Sequence, residues 1–202
     1  MLLKKNKNKI FFVHIPRTGG RYITNLFIRN NFILTPFNDY GFYKGIDERH
    51  LHHEYLKDFD IYNKTKKLVI VRNPLDRFLS ACSVDMNLNA KKHKFKLNSV
   101  KNVIDYIKFQ QDRYSFYINW FRPQYEFVFK NSYIWKYEDE FKDNFINFIN
   151  KKFNINLIVD DKIPNWKVNY DYCPKIKTNK AIEQAVKIVY KKDYKMFYAE
   201  KF

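Results

Sequence analysis

Two short runs of nearly unbroken apolar residues, Ile10 to Ile15 (Ile-Phe-Phe-Val-His-Ile) and Lys67 to Arg72 (Lys-Leu-Val-Ile-Val-Arg), constrain the fold more than anything else in this chain. Each is too short for a buried helix and lacks the alternation of a half-solvated strand. The pattern fits strands covered on both faces, as in a parallel sheet. Apolar residues at helical spacing follow each run, Ile23, Leu26 and Phe27 after the first and Leu75, Phe78, Leu79 and Cys82 after the second. Two strand–turn–helix units in succession predict an α/β fold, a three-layer sandwich with a central parallel sheet. The second helix has a defined start: Asn73 can cap it, Pro74 suits its first turn and Asp76 complements its dipole.

Further along, 127–129 and 133–136 read as short strands. Phe141, Phe145, Phe148 and Ile149 mark an amphipathic helix, and Ile182, Ala185, Val186 and Val189 mark another, with Thr178 as its expected cap. Residues 35–65 and 156–177 show no clear period. With 202 residues, 20 Phe and 16 Tyr, the chain can build one large ring-rich core. The expected organisation is a basic tail over residues 1–9 and a single domain over 10–202. The first ten residues hold too few apolar positions for a signal peptide and no later run could span a bilayer, so a soluble cytoplasmic protein is expected. Cys82 and Cys173 show no redox or zinc spacing and read as reduced thiols; Trp120, Trp135 and Trp166 read as core. Nothing in the sequence fixes an oligomeric state.

The formal net charge is +17, from 38 basic and 21 acidic residues, which attracts polyanions at long range. Nucleic acid, anionic glycans and nucleotide phosphates all qualify as partners. The lysine-rich stretches Lys91 to Lys96 and Lys175, Lys177, Lys180 read first as solvated charge. Two motifs narrow the choice. His14-Ile15-Pro16-Arg17-Thr18-Gly19-Gly20 is a strand breaking into a glycine turn before a helix, which aims backbone N–H groups and a helix dipole at one point. It is not a Walker A loop, because the GxxxxGK[ST] spacing is absent. The second motif, Arg72-Asn73-Pro74-Leu75-Asp76-Arg77-Phe78-Leu79-Ser80, sets an arginine at a strand end and a serine near the same helix start. Arginine can grip phosphate with two parallel N–H bonds, and a hydroxyl adds a donor. Two anion sites at adjacent strand ends imply a ligand with two phosphate groups.

These residues resemble the sulfotransferases that use 3′-phosphoadenosine 5′-phosphosulfate (PAPS), especially the branch that modifies carbohydrates. That family's 5′-phosphosulfate loop commonly reads His-Ile-Pro-Lys-Thr-Gly-Gly-Thr-Ser, against His14 to Tyr22 here, and its 3′-phosphate element reads much like Val71 to Ala81. Weaker similarity extends to Arg122-Pro123-Gln124, to Lys136-Tyr137-Glu138-Asp139 and to the stretch Ile188 to Tyr198. The resemblance implies a P-loop-like sulfotransferase fold, PAPS as co-substrate with no metal, and a hydroxyl-bearing acceptor, expected to be a carbohydrate. It assigns Arg17, Thr18, Gly19, Gly20, Arg21 and Tyr22 to the 5′-phosphate, and Arg72 and Ser80 to the 3′-phosphate. Two departures stand out. Arg17 offers a permanently charged fork where the family has lysine, and Arg21 and Tyr22 replace hydroxyl residues.

Sulfuryl transfer needs a base for the acceptor's proton, a role histidine fills near neutral pH with a contribution of about 10²- to 10⁴-fold. The cluster Arg49-His50-Leu51-His52-His53-Glu54 supplies candidates. His50 is the first choice, where the family resemblance places a histidine that is catalytic in some members, and His52 is the second. The cluster also reads as a solvated helix start, or as a metal set of His50, His53 and Glu54 on one helical face. His14 reads as a local packing residue and His93 as exposed. Two readings of other classes remain open from the residues: a non-catalytic polyanion-binding protein for nucleic acid or acidic glycan, and a P-loop-like small-molecule kinase.

Overall fold

The structure, a computed structural model, describes residues 1–35, 42–43, 46–89, 96–114, 119–158 and 175–199. His93, Trp166, Cys173 and all but Lys96 of the 91–96 stretch lie outside the described residues. The chain order is β1 (Leu2–Lys5), β2 (Asn8–Val13), α1 (Gly20–Arg29), β3 (Ile33–Thr35), β4 (Phe42–Tyr43), β5 (Ile46–Asp47), α2 (His53–Leu56), α3 (Asp60–Lys64), β6 (Lys67–Val71) and α4 (Pro74–Asn89). There follow α5 (Val100–Tyr114), β7 (Ser132–Lys136), α6 (Asp143–Phe153), α7 (Lys180–Val189) and α8 (Lys191–Phe197). Five strands form the main sheet in the order β3-β1-β2-β6-β7, and β4 pairs with β5 separately.

Both apolar runs are the central strands. They pair in parallel, Phe11 against Lys67 and Val13 against Val69, and β7 continues the parallel set with Val71 against Lys136. Their side chains alternate between two cores. Ile10, Phe12, Leu68 and Ile70 face α1 and α6 on one side, whereas Phe11, Val13, Val69 and Val71 face α4, α5 and α7 on the other. The molecule is therefore the expected three-layer α/β sandwich. Parallel pairing stops at β2, however, because β1 runs antiparallel to both β2 and β3, so the sheet is mixed.

Residues 1–9, expected as a tail, form the β1 strand and the turn into β2 instead. Leu2 and Leu3 point to opposite faces and join opposite cores, 6% and 0% exposed. The left-handed turn that the hairpin needs falls on Asn6 (φ 52°), a residue type that tolerates it. The surrounding lysines mask this pattern: Lys5 reaches past the sheet to donate its ammonium to the Asn30 carbonyl at 2.8 Å.

Other boundaries moved for local reasons. The 127–129 segment, expected as a strand, follows a 3-10 turn over Gln124–Phe127 and pairs with no neighbour. Asn179, not Thr178, caps α7, its side-chain oxygen accepting from the Ile182 N–H at 2.9 Å. Asn73 caps α4 as expected, accepting from the Leu75 N–H at 3.0 Å. Two charged residues fall on the buried face of α4. Asp85 is satisfied by the Tyr106 hydroxyl (2.7 Å) and the Gln110 amide (2.6 Å), and Arg77 is taken up below. No described helix is long and apolar enough to cross a membrane.

Because β1 is an interior strand of the sheet, Leu3→Ala should destabilise the fold by about 2–5 kcal/mol, the range for a fully buried leucine. Urea unfolding checks this, and a change within error of zero would return residues 1–9 to the status of a tail.

Candidate functional site

Parallel pairing of β2 with β6 puts the two sequence motifs side by side, since both chains leave the sheet at the same end. From β2 the chain turns at Arg17, which adopts a left-handed conformation (φ 70°), and at Gly19 (φ 86°), the residue that caps α1. A side chain at Gly19 would also press on the rings of Phe141 (3.0 Å) and Tyr137 (3.1 Å). Gly20 has no room for a Cβ, which would stand 1.8 Å from Nε2 of His14. The Thr18 hydroxyl is buried and donates back to the Ile15 carbonyl at 2.8 Å, so this side chain braces the turn from inside. The N–H groups of Thr18, Gly19 and Gly20 meet no acceptor among the described residues, leaving them pointed as the start of a helix leaves its first donors.

The left-handed backbone at Arg17 sends its guanidinium across to α4, where Nε and Nη2 both donate to Ser80 Oγ at 3.1 and 2.9 Å. Arg72, at the end of β6, donates from Nη1 to the Arg17 carbonyl (3.3 Å) and stacks on the Tyr137 ring at 4.6 Å. Its Nε is buried without a partner among the described residues. Arg77 lies directly behind. Its guanidinium is 2% exposed and donates to the carbonyls of Pro16 (3.0 Å), Arg122 (2.9 Å) and Trp120 (2.9 Å), with Asn119 at 3.4 Å. Burial lowers its pKa; Tyr190 and Asp193 oppose that, and neighbouring Arg72 and Arg17 add to it. Three arginines thus converge on one strand end, an arrangement that favours an anionic ligand.

Three of the sequence-chosen side chains take other roles. The Tyr22 ring stacks on Phe141 (5.2 Å) and its hydroxyl donates to the Phe141 carbonyl (3.0 Å), while its N–H is spent on Gly19. Thr18 offers only its backbone. His52, the second choice of base, is 5% exposed and packs edge-on against Tyr55 and Phe127, with Nε2 buried and unpartnered among the described residues. Burial first, and Arg122 second, lower its pKa to about 4. Arg21, the second residue of α1, is exposed at the helix start.

His50 is the histidine drawn to the turn. Its ring lies 4.5 Å from that of His14, which itself sits beneath Gly20. Nδ1 lies 3.2 Å from the His14 carbonyl. A carbonyl only accepts, so Nδ1 carries the hydrogen in this contact; in the neutral ring that places the lone pair on Nε2, the form a general base requires. His14 is half-buried, with its Nδ1 out of solvent, and its pKa is held well below the ordinary value by desolvation first and then by His50. His53 departs from His50 altogether, its ring 3.9 Å from Phe129, which separates the residues of the metal reading. No group of three metal-type ligands occurs among the described residues.

The profile of the Sulfotransferase family matches residues 2–199, nearly the whole chain. The chain belongs to the sulfotransferase family. Its general activity is therefore sulfuryl transfer, and it is a transferase. Searches of curated proteins and of solved structures found no match.

Sequence reasoning passed over several residues that shape this sulfotransferase site. Gln124 clamps the backbone N–H and carbonyl of Arg72, Glu138 accepts from the Asn73 N–H (2.6 Å) and from the Tyr198 hydroxyl (2.9 Å), and Asn119 donates to the His50 carbonyl at 3.0 Å. The available signal was the similarity at Arg122-Pro123-Gln124 and Tyr137-Glu138. For Arg77 it was helical phase, which sets it on the same face as Phe78 and Ala81.

A histidine kept neutral by the fold, with a pKa depressed below its unfolded value near 6.5, binds a proton more readily when unfolded. Its contribution is complete above pH 6.5 and is lost as pH falls toward about 4, the folded value for His52. Thermal melts should therefore show His52→Leu losing less stability than the wild type between pH 7 and pH 5. Equal losses would remove His52 as a source of acid sensitivity.

Proposed function

We propose that this sulfotransferase uses PAPS as donor and transfers the sulfuryl group to a hydroxyl of a carbohydrate acceptor. The observation that carries the reading is the meeting of Arg17, Ser80 and Arg72 beside the N–H groups of the glycine turn. The site's chemistry fits such a donor: the buried Nε of Arg72 lacks a partner among the described residues, and the arginine cluster asks for negative charge. Arg72 and Ser80 would hold the 3′-phosphate, and Arg17 with the N–H groups of Thr18 to Arg21 would hold the 5′-phosphate.

When bound, the donor supplies a sulfur atom that is attacked by the acceptor oxygen as its bond to the 5′-phosphate oxygen breaks. His50 takes the acceptor's proton at Nε2. Arg17 and the helix start stabilise the charge that grows on the departing phosphate, worth most where donors are fixed in advance. The His14 carbonyl keeps the imidazole in the correct tautomer and stabilises its protonated form. Carbohydrate acceptors are favoured by the resemblance of both motifs to that branch and by the basic surface, which also favours acidic glycans over neutral alcohols.

Titration with adenosine 3′,5′-bisphosphate, compared with ATP and Mg²⁺, tests the donor. Micromolar binding of the bisphosphate and its loss of about 10-fold or more in Arg72→Ala are expected, as for the loss of a charged phosphate contact. Preference for ATP would favour the kinase reading instead. Labelled donor offered with a panel of glycans, lipids and small alcohols then identifies the acceptor. His50→Ala should lower turnover by about 10²-fold or more with bisphosphate affinity retained, whereas full turnover in that variant would remove His50 as base.

A further inference from the structure

A turn remote from both sequence motifs touches each of them. Residues 119–125 lie between α5 and β7, and both side chains and carbonyl groups of this turn contact the site's residues. Gln124 is 0% exposed and brackets a single residue: Oε1 accepts from the Arg72 N–H at 2.9 Å, and Nε2 donates to the Arg72 carbonyl at 2.7 Å. Those two groups lie where β6 has ended, one residue past its last pairing with β7 at Val71, so the clamp takes over from the sheet. Asn119 is 1% exposed and also uses both ends of its amide, accepting from Arg122 Nε (3.1 Å) and donating to the His50 carbonyl (3.0 Å).

The turn itself is fixed from two sides. The buried carboxylate of Asp193 on α8 accepts the N–H of Gln124 at 2.8 Å and that of Tyr125 at 2.9 Å. Arg77 donates to carbonyls of the turn with one edge and to Pro16, at the head of the glycine turn, with another. Every amide hydrogen bond here has a defined sense, because Arg72 and His50 offer backbone groups whose donor or acceptor character cannot change.

We infer that Gln124 and Asn119 are positioning residues, Gln124 setting the arginine that holds the donor's 3′-phosphate and Asn119 setting the base. Neither touches the ligand. This rests on the donor and base assignments proposed above and extends them to a single structural element. A guanidinium must be placed within a few tenths of an ångström to grip phosphate with two bonds, and Arg72 comes after the last ladder pair, where the sheet no longer fixes the backbone. Gln124 restores that control. Asn119 does the same for His50, which ends a single 3-10 turn at Glu48–His50.

Two measurements that need no acceptor separate positioning from bulk stability. Calorimetric titration with adenosine 3′,5′-bisphosphate should show Gln124→Met weakened about 10-fold or more, with Gln124→Glu, which keeps the acceptor for the Arg72 N–H, between it and the wild type. Asn119→Ala should bind the bisphosphate within about 2-fold of wild type, a difference too small to reflect a lost contact. In its ¹⁵N-histidine spectrum, however, the His50 signal should move from the Nδ1–H tautomer to a mixture. Wild-type affinity in folded Gln124→Met, or an unchanged His50 tautomer in Asn119→Ala, overturns the corresponding assignment. If both variants lose affinity in proportion to their loss of melting temperature, the turn is merely structural and the inference fails. A folded wild type that binds no bisphosphate removes the donor reading and this inference with it, an outcome seen before any variant is compared.

Discussion

The Arg77 guanidinium holds the working end of this molecule together. It is a buried cation whose hydrogen bonds run to backbone carbonyls, and those carbonyls belong to two segments far apart in sequence, Pro16 and the 119–122 turn. Taking such a group out of water is costly, so burial lowers its pKa, but several charge-assisted bonds and the nearby Asp193 offset the penalty. The geometry is specific because a planar fork reaches several acceptors only from one position. Were it a lysine, one ammonium could not meet carbonyls on opposite edges of the cavity. The glycine turn, through Pro16, and His50, through Asn119, both take their places relative to this one side chain.

The central sheet supplies the frame for that interaction. Two strands buried on both faces end together, and the chain has to leave the sheet there in two sharp turns. His14 fills the space beneath the first turn so closely that only glycine fits at position 20. The same ring then supports His50. A residue that looked like local packing thus shapes the glycine turn through its ring and meets the His50 imidazole through its carbonyl, the two positions proposed above as phosphate loop and base.

Much of this was legible in the sequence because it depends on local chemistry. The apolar runs at 10–15 and 67–72 gave the central strands, Asn73-Pro74 gave the start of α4, and the Arg17 and Arg72 motifs came together because parallel strands end side by side. What was hidden depends on long-range contacts. Leu2 and Leu3 are two apolar residues among lysines, too few to reveal a strand until β2 and β3 are seen on either side. His50 and His52 are separated by two positions, and the sequence cannot say which ring turns inward. Tyr22 is aimed by Phe141, just ahead of α6 and more than a hundred residues away, and Gln124 and Asn119 matter through backbone groups they meet across the fold.

The left-handed backbone of Arg17 has a consequence for how the site trades partners. A non-glycine residue in that conformation carries a strain of about 1–2 kcal/mol, and here it is stabilised by contacts that include the two bonds from the guanidinium to Ser80. Under the donor assignment proposed above, an arriving phosphate would therefore meet an arginine already ordered and already engaged. Binding at this point is an exchange of one oxygen for others, with the side chain's conformational freedom given up when the protein folds and not when the ligand arrives. Such a loop favours ligands whose oxygens outcompete a neutral hydroxyl, and anions do this while water and uncharged alcohols do not. Discrimination for charge is thereby built into the resting contact between Arg17 and Ser80.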